Sequence, residues 1–275
     1  MSTDTSPSPA QEPLVRVTHR SAAEVGAVAG VEGLPDDVRL AVVTLDSPAN
    51  RNALSRRLVA ELLAALDEAD RDPTVRAVQL RATGRVFCSG ADLSEAVEGG
   101  MEQGARGMVD MQRAVLAMAT PVVVAVQGPV RAGGIGLVGA CDVAIAARAA
   151  TFALTEVRLG LAPAVISLVL LHRMTPRGAQ RTFLDGEVFD GDAAAAYGLV
   201  SQAVDADDLD AAADRACASL LLGSAQGQRE TKRLLNREVL ADLDARREEV
   251  AATSARLFGS PEAKEAMTAF LRRKA

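Results

Sequence analysis

The sequence predicts an α/β protein with an all-helical C-terminal module. Short apolar runs of strand character, Leu40–Leu45, Val75–Leu80 and Val122–Val126, alternate with stretches of helical spacing. That alternation implies mostly parallel sheets joined by crossover helices. Beyond Val204 four helical patterns follow one another, 207–222, 225–240, 243–258 and 262–273, with no strand signal. The chain therefore divides into a core over 14–204 and a helical module over 205–275. Residues 1–13, rich in Ser, Thr and Pro, read as a disordered tail rather than a signal peptide.

The elements follow in order. Leu14–Thr18 alternates like an edge strand, and the Ala-, Gly- and Glu-rich residues 20–38 read as a loop joining it to Leu40–Leu45 as a hairpin. Asp46–Leu54 is turn chemistry throughout. A helix over 56–70 places Leu58, Leu62, Leu66 and Ala69 on one face and ends at Asp72-Pro73. The strand Val75–Leu80, a Gly84 turn and a strand Val86–Cys88 come next. A segment holding Gly99, Gly100, Gly104 and Gly107 leads into a helix over 106–118 that stops at Thr120-Pro121. Val122–Val126 is a buried strand, and Ile135–Ala140 opens a small-residue helix. Strands at Asp142–Ala147 and Thr151–Ala153 precede helices at 164–173, 176–184 and 192–197. Thr175-Pro176 and Ser260-Pro261 each pair a cap with proline at the first helical position. No exact internal repeat is visible.

Composition excludes several function classes. The 275 residues allow one large domain, or one with an appendage, and 49% are apolar, enough for a sizeable core. A net charge of −6 with scattered arginines gives no nucleic-acid footprint, and 3% aromatics give no base-stacking platform. Cys88, Cys141 and Cys217 lie far apart, with no metal or disulfide spacing. The two histidines, His19 in a polar segment and His172 at a helix end, make a Ser–His–Asp hydrolase improbable. No apolar run approaches a membrane span, so the expected compartment is the cytoplasm.

Three motifs carry chemistry. In Val122–Asp142 a strand ends in Gly133-Gly134 and feeds a helix, which aims free backbone N–H groups at an anion. In Phe87–Leu93 a strand ends, Gly90 permits a sharp turn, and the N–H of Ala91 emerges near a helix start. In Thr155–Pro163 an acid, Glu156, follows a short strand. Gly134–Gly139 also fits GxGxxG with Glu156 downstream, a dinucleotide fingerprint. Gln127–Ala132 separates those glycines from the strand, however, and no βαβ unit opens there, so that reading is set aside.

Taken in order, FCSGADL, QGPVRAGGIGL…CD and TFALTEVRLGLAP resemble the crotonase superfamily of enoyl-CoA hydratases and isomerases. The resemblance runs from about Leu14 to Ala275 and takes in the Arg51-Asn52-Ala53-Leu54 turn and the closing KEAMTAFLRRK. It implies a spiral of ββα turns, a helical trimerisation module, and a homotrimer or a hexamer made as a dimer of trimers. It implies an acyl-CoA thioester as partner, with coenzyme A part of the substrate, no separate cofactor and no metal. The N–H groups of Ala91 and Gly133 would form an oxyanion hole. Ala53, Leu54, Ser89, Ala91, Asp92, Leu93, Ser94, Gly133 and Gly134 would line the thioester path. Phe270 and Arg273 would reach the CoA across a subunit boundary.

Hydratases of this family typically use two glutamates. Glu156 matches one, and Gly136 stands where the resemblance places the other. Three readings follow: a hydratase relying on Glu156, with Asp92, Glu95 or Glu98 as a candidate second acid; a Δ3-Δ2-enoyl-CoA isomerase; or an acyl-CoA binder without turnover. GGIGL with TEVRLGLAPAVIS resembles the bacterial branch that hydrates 3-methylglutaconyl-CoA, which favours the hydratase. Arg131 beside the glycine turn could pair with a carboxylate on such an acyl group.

Overall fold

The computed structural model describes residues 12–92, 95 and 101–272. Strand β1 (Val15–Ser21) pairs antiparallel with β2 (Arg39–Leu45). The segment between them holds a helix, α1 (Ala22–Ala29), which corrects the loop expected over 20–38. Its ends are well determined. Ser21 and Glu24 form a capping box, and Gly30 closes the helix at φ +67°. A 3₁₀ turn, Pro48–Asn50, leads to α2 (Arg56–Arg71), whose buried residues Leu58, Leu62, Leu66 and Ala69 are the predicted face.

Next come β3 (Val75–Ala82), α3 (Met101–Ala117), β4 (Val122–Val126), β5 (Val130–Arg131) and α4 (Gly133–Ala140). The expected strand Val86–Cys88 reduces to a single bridge from Cys88 to Val130. Helix α3 starts earlier than expected because Gly104 and Gly107 face open space, where a missing side chain removes no contact. Then follow β6 (Val143–Ala147), β7 (Thr151–Ala153), a 3₁₀ turn at Thr155–Leu159, α5 (Ala164–Arg173), α6 (Pro176–Asp185), β8 (Phe189–Asp190), α7 (Gly191–Ala196) and β9 (Gln202–Val204).

Six strands form one sheet in the order β1-β2-β3-β4-β6-β9, parallel except for β1, and β5-β7-β8 form a second. A repeat emerges from the pairing. Each of β2, β3, β4 and β6 is followed by a short strand or bridge in a second layer and then by a helical turn: Leu54 bridging Ala91 before α2, Cys88 bridging Val130, β5 before α4, and β7 before the 3₁₀ turn. The chain therefore winds as a spiral of ββα turns. Its successive second-layer pieces stack side by side.

The C-terminal region contains α8 (Leu209–Leu221), α9 (Ala225–Phe258) and α10 (Pro261–Arg272). The two helices expected over 225–240 and 243–258 are one 34-residue helix. Ala241-Asp242 between them holds no glycine or proline to stop it. Helix α9 runs along α3 and α5. Ion pairs join it to α3: Arg247 to Asp110 at 2.5 Å, Arg113 to Asp244 at 2.5 Å, and Arg106 to Glu248 at 2.8 Å. Inside, Asn236 Nδ2 donates to Leu116 O at 3.0 Å, and Lys232 Nζ donates to Thr120 O at 3.1 Å and Asp142 at 2.7 Å. Helix α10 folds back onto the Thr155–Leu159 turn, where a Cβ on Gly160 would lie 3.1 Å from Ala263 N. The sequence expectation for Phe270 and Arg273 concerns a neighbouring subunit, which a single chain does not test. Arg273 and the side chain of Phe270 lie outside the described residues. No described helix is long and apolar enough to cross a membrane.

Candidate active site

The second-layer stack brings the sequence motifs together. Leu54 N donates to Gly90 O at 2.8 Å and Asp92 N to Leu54 O at 3.4 Å, while Ser89 N donates to Arg51 O at 3.1 Å. On the other side Arg131 N donates to Cys88 O at 3.0 Å. Gly90, at φ +93°, allows the two turns to touch: a Cβ there would lie 3.0 Å from Arg131 O and 3.1 Å from the Ala132 Cβ. Ala132 itself sits at φ 46°, ψ −121°, a region an alanine occupies only under strain. That distortion turns the chain into α4, so that Gly133 opens the helix with an N–H that has no intrahelical acceptor. Neither this N–H nor that of Ala91 donates to a described protein atom. Gly133 is packed closely: its Cβ would lie 2.2 Å from Met108 Cε and 3.4 Å from Leu54 Cδ1.

Glu156 reaches the same place by strand register. Strands β5 and β7 run parallel with Arg131 opposite Ala153, so Gly133 and Glu156 leave neighbouring strands at the same end. Glu156 Oε2 is buried with no hydrogen-bond partner. Burial pushes its carboxyl up to about 7, against a smaller opposing pull from its own backbone N–H. A carboxyl poised near neutrality can both take and return a proton.

Gly136 is filled space rather than a gap left for an acid. A Cβ there would meet Ile166 Cγ2 at 2.6 Å and Gln112 Oε1 at 3.0 Å. Of the candidate second acids, Glu95 accepts from Arg56 N at 2.8 Å at the start of α2 and Asp92 accepts from Asn50 Nδ2 at 3.0 Å. No hydrogen bond ties either to Glu156. Leu93, Ser94 and Glu98 lie outside the described residues. The Arg131 guanidinium donates to Val130 O and Thr151 O at 2.8 and 2.7 Å and to Thr151 Oγ1 at 3.1 Å, which holds it between β5 and β7. The three cysteines are free and buried, and burial pushes Cys88 and Cys217 up to about 12, far from a thiolate nucleophile. His172 ends α5, 3.2 Å from Asp242. Among the described residues no group of three or more His, Cys, Asp or Glu is placed to hold a metal ion.

Sequence reasoning missed several contributors. Asn52, fully buried at φ 51°, accepts from Ser47 N at 2.8 Å and donates to Thr83 O and Val86 O at 2.9 Å each, tying together the loops after β2 and β3. A surface pocket of about 470 Å³ between those loops is flanked by Arg51 and Arg85, both exposed and unpaired with any described carboxylate. Arg51, which opens the RNAL motif, and Arg85, two residues before FCSGADL, were the available signal. Met108 and Gln112 on α3 gave none, since a helix before its partners are known shows no preferred face for them.

The enoyl-CoA hydratase/isomerase family matches residues 37–275. The probable enoyl-CoA hydratase echA8 of Mycobacterium bovis is 31% identical over 245 residues, 87% of this chain and 94% of that protein. A putative enoyl-CoA hydratase structure from Mycobacterium avium paratuberculosis K-10 superposes with a TM-score of 0.83 at 44% identity, covering 94% of this chain and 97% of that one. An apo enoyl-CoA isomerase structure from Mtb superposes at 0.72 with 26% identity, covering 80% and 96%.

Proposed function

Because the chain belongs to the enoyl-CoA hydratase/isomerase family, we propose that it adds water across the 2,3 double bond of a 2-enoyl-CoA thioester, with Glu156 as its acid–base group. The observation that carries this is the Glu156 carboxyl in the turn after β7, its Oε2 buried with no hydrogen-bond partner, together with two backbone N–H groups, of Ala91 and Gly133, that donate to no described protein atom. In this reading Ala91 and Gly133 donate to the thioester oxygen as it becomes an enolate. Each preorganised donor in a water-excluded site is worth about 3–4 kcal/mol of barrier. Glu156 takes a proton from water as oxygen adds to C3, then returns it to C2. The reaction draws on no further cofactor.

Ala53, Leu54, Ser89 and Asp92 belong to the hydrogen-bonded turns that frame this centre and Gly134 to the first turn of α4; in this reading they line the path of the pantetheine arm. By family resemblance Leu93, Ser94, Phe270 and Arg273 are expected on the same path. Arg51 and Arg85 carry the only charge complementary to the nucleotide phosphates among the residues flanking the pocket between the β2 and β3 loops. The proposal does not depend on a carboxylate on the acyl group, and branched acyl groups fit it equally. The second reading is the Δ3-Δ2 isomerase, favoured by one specific observation: Gly136 stands where the resemblance places the second acid, and one shuttling carboxyl is enough to move a double bond.

Both readings are tested by Glu156→Gln. The wild type is expected to convert crotonyl-CoA to 3-hydroxybutyryl-CoA, and the variant to lose at least about 10²-fold in kcat while its affinity for a saturated acyl-CoA is kept. Wild type that turns 3-enoyl-CoA into 2-enoyl-CoA without adding water makes it the isomerase. Tight binding with no product from straight, branched or carboxylated enoyl-CoAs makes it a binder. Full hydration by the variant removes Glu156 from the mechanism.

A further inference from the structure

The turns that carry the Ala91 and Gly133 N–H groups are drawn together by their backbones. Arg131 N donates to Cys88 O at 3.0 Å, Cys88 N donates to Pro129 O at 3.3 Å, and Cys88 bridges Val130 in parallel. Such bonds limit how far two segments separate, while packed side chains limit how closely they approach. One stop is backbone, where Gly90 abuts Arg131 and Ala132. The other is the Cys88 side chain, which is fully buried and packs on Gly134. A Cβ on Gly134 would lie 2.8 Å from both Cβ and Sγ of Cys88. Burial pushes the thiol up to about 12, and the smaller opposing pull comes from the Gly90 backbone N–H. The sulfur therefore stays neutral and engages both arms at once. Gly90 precedes Ala91 and Gly134 follows Gly133, so each contact lies one residue from a donor.

We propose that Cys88 is a positioning residue: its side chain, held between Gly90 and Gly134, sets the separation of the Ala91 and Gly133 N–H donors. The inference rests on the oxyanion-hole reading and adds to it what fixes the geometry of the pair. The role needs no contact with substrate and no proton transfer, because the thiol acts by its size. Hydrogen bonds weaken as they lengthen or bend, and a misplacement of about 1 Å in a site can cost about 10²-fold in rate. A smaller side chain at position 88 lets the arms shift by a fraction of that distance. A Cβ added to Gly134 wedges them apart from the other side. Either change loosens the grip on an enolate oxygen more than the grip on the rest of an acyl-CoA.

The test uses the full chain and two ligands that differ in the oxygen the donors would hold. Acetoacetyl-CoA binds such a pair as its enolate, which absorbs in the near ultraviolet, whereas S-butyl-CoA is a thioether with no carbonyl. For Cys88→Ala the expected result is a loss of about 10-fold in acetoacetyl-CoA affinity and a fall in bound-enolate absorbance, with S-butyl-CoA affinity unchanged within about 2-fold. Cys88→Ser, which keeps an atom in the place of the sulfur, should recover most of that loss. Equal losses on both ligands, or a serine variant no better than the alanine one, overturn the proposal. Wild type that forms the enolate, with variants that match it, overturns this inference alone. Wild type that forms no enolate from acetoacetyl-CoA overturns the oxyanion-hole reading with it. Should Cys88→Ala fail to fold, Gly134→Ala decides, because it presses a Cβ on the same sulfur from the opposite side. The preference for acetoacetyl-CoA over S-butyl-CoA must then fall, and a preference kept as in the wild type overturns the proposal.

Discussion

In the proposed reaction Glu156 sets catalysis and stability against each other. Its carboxyl, pushed up to about 7 from an ordinary 4.5 by burial, holds a proton that the unfolded chain has already released. Between about pH 4.5 and 7 the folded state therefore binds more protons than the unfolded one. The stability contribution of Glu156 falls as pH rises through that window, and the penalty is fully present above it. A shift of this size corresponds to at most about 3 kcal/mol. Glu156→Gln should unfold in urea like the wild type at pH 4.5, yet be more stable at pH 8 by up to that amount. An identical urea midpoint difference at both pH values would mean that the carboxyl is solvated. Activity should run the other way, with kcat/KM of the wild type rising through an inflection near pH 7, because the group must be ionised to take a proton from water.

Helix α4 shows why one element defines the site while its neighbours go unread. The Gly133-Gly134 turn and Glu156 were legible, because a strand that ends in glycines and an acid after a short strand are local patterns. The spiral was legible only through the family resemblance and not from local pattern, since its second-layer pieces are only one to three residues long: Leu54, Cys88, Val130–Arg131 and Thr151–Ala153. Helix α1 was missed although Ser21, Glu24 and Gly30 spell out its ends, because its Ala- and Gly-rich middle carries no apolar stripe. What fills the place of the second acid was also hidden, since Ile166 and Gln112 come from two other helices. That packing makes an unusual prediction for Gly136. In an open helix, Gly→Ala gains about 1 kcal/mol from propensity. Here the new Cβ falls 2.6 Å from a stiff β-branched methyl, so Gly136→Ala is expected to cost about 1–3 kcal/mol instead. In an Ile166→Ala background, where that methyl is gone, the same change should be neutral or stabilising. Denaturant unfolding of the double-mutant cycle measures the coupling, and additive effects would rule out the clash.

At the scale of the whole molecule, what joins the C-terminal helices to the spiral determines where α3 sits, and with it Met108 and Gln112. Two kinds of contact make that joint. The ion pairs along the outside of α3 and α9 are half open to water: Arg113 and Asp244 side chains are 45% and 54% exposed. Pairs of that kind contribute less than about 1 kcal/mol each. Lys232 differs, with its side chain 4% exposed and its ammonium held by Thr120 O and by Asp142, which also accepts from Val122 N at 2.7 Å. It fastens α9 to the start of β4 and to the residue just before β6 in one contact. Lys232→Met would leave a partly buried carboxylate and a carbonyl without their cation, at a cost of about 3–5 kcal/mol. For a chain of this size that means a Tm lower by about 10 °C. Arg113→Met should lower it by no more than about 3 °C. Adding Asp142→Asn to Lys232→Met removes the stranded charge and should recover part of the loss. The comparison by thermal unfolding separates the two kinds of joint: equal losses for Lys232→Met and Arg113→Met would place the anchorage in the outer lattice of ion pairs, whereas the geometry places it in the buried Lys232 ammonium that reaches the ends of the strands leading into the site.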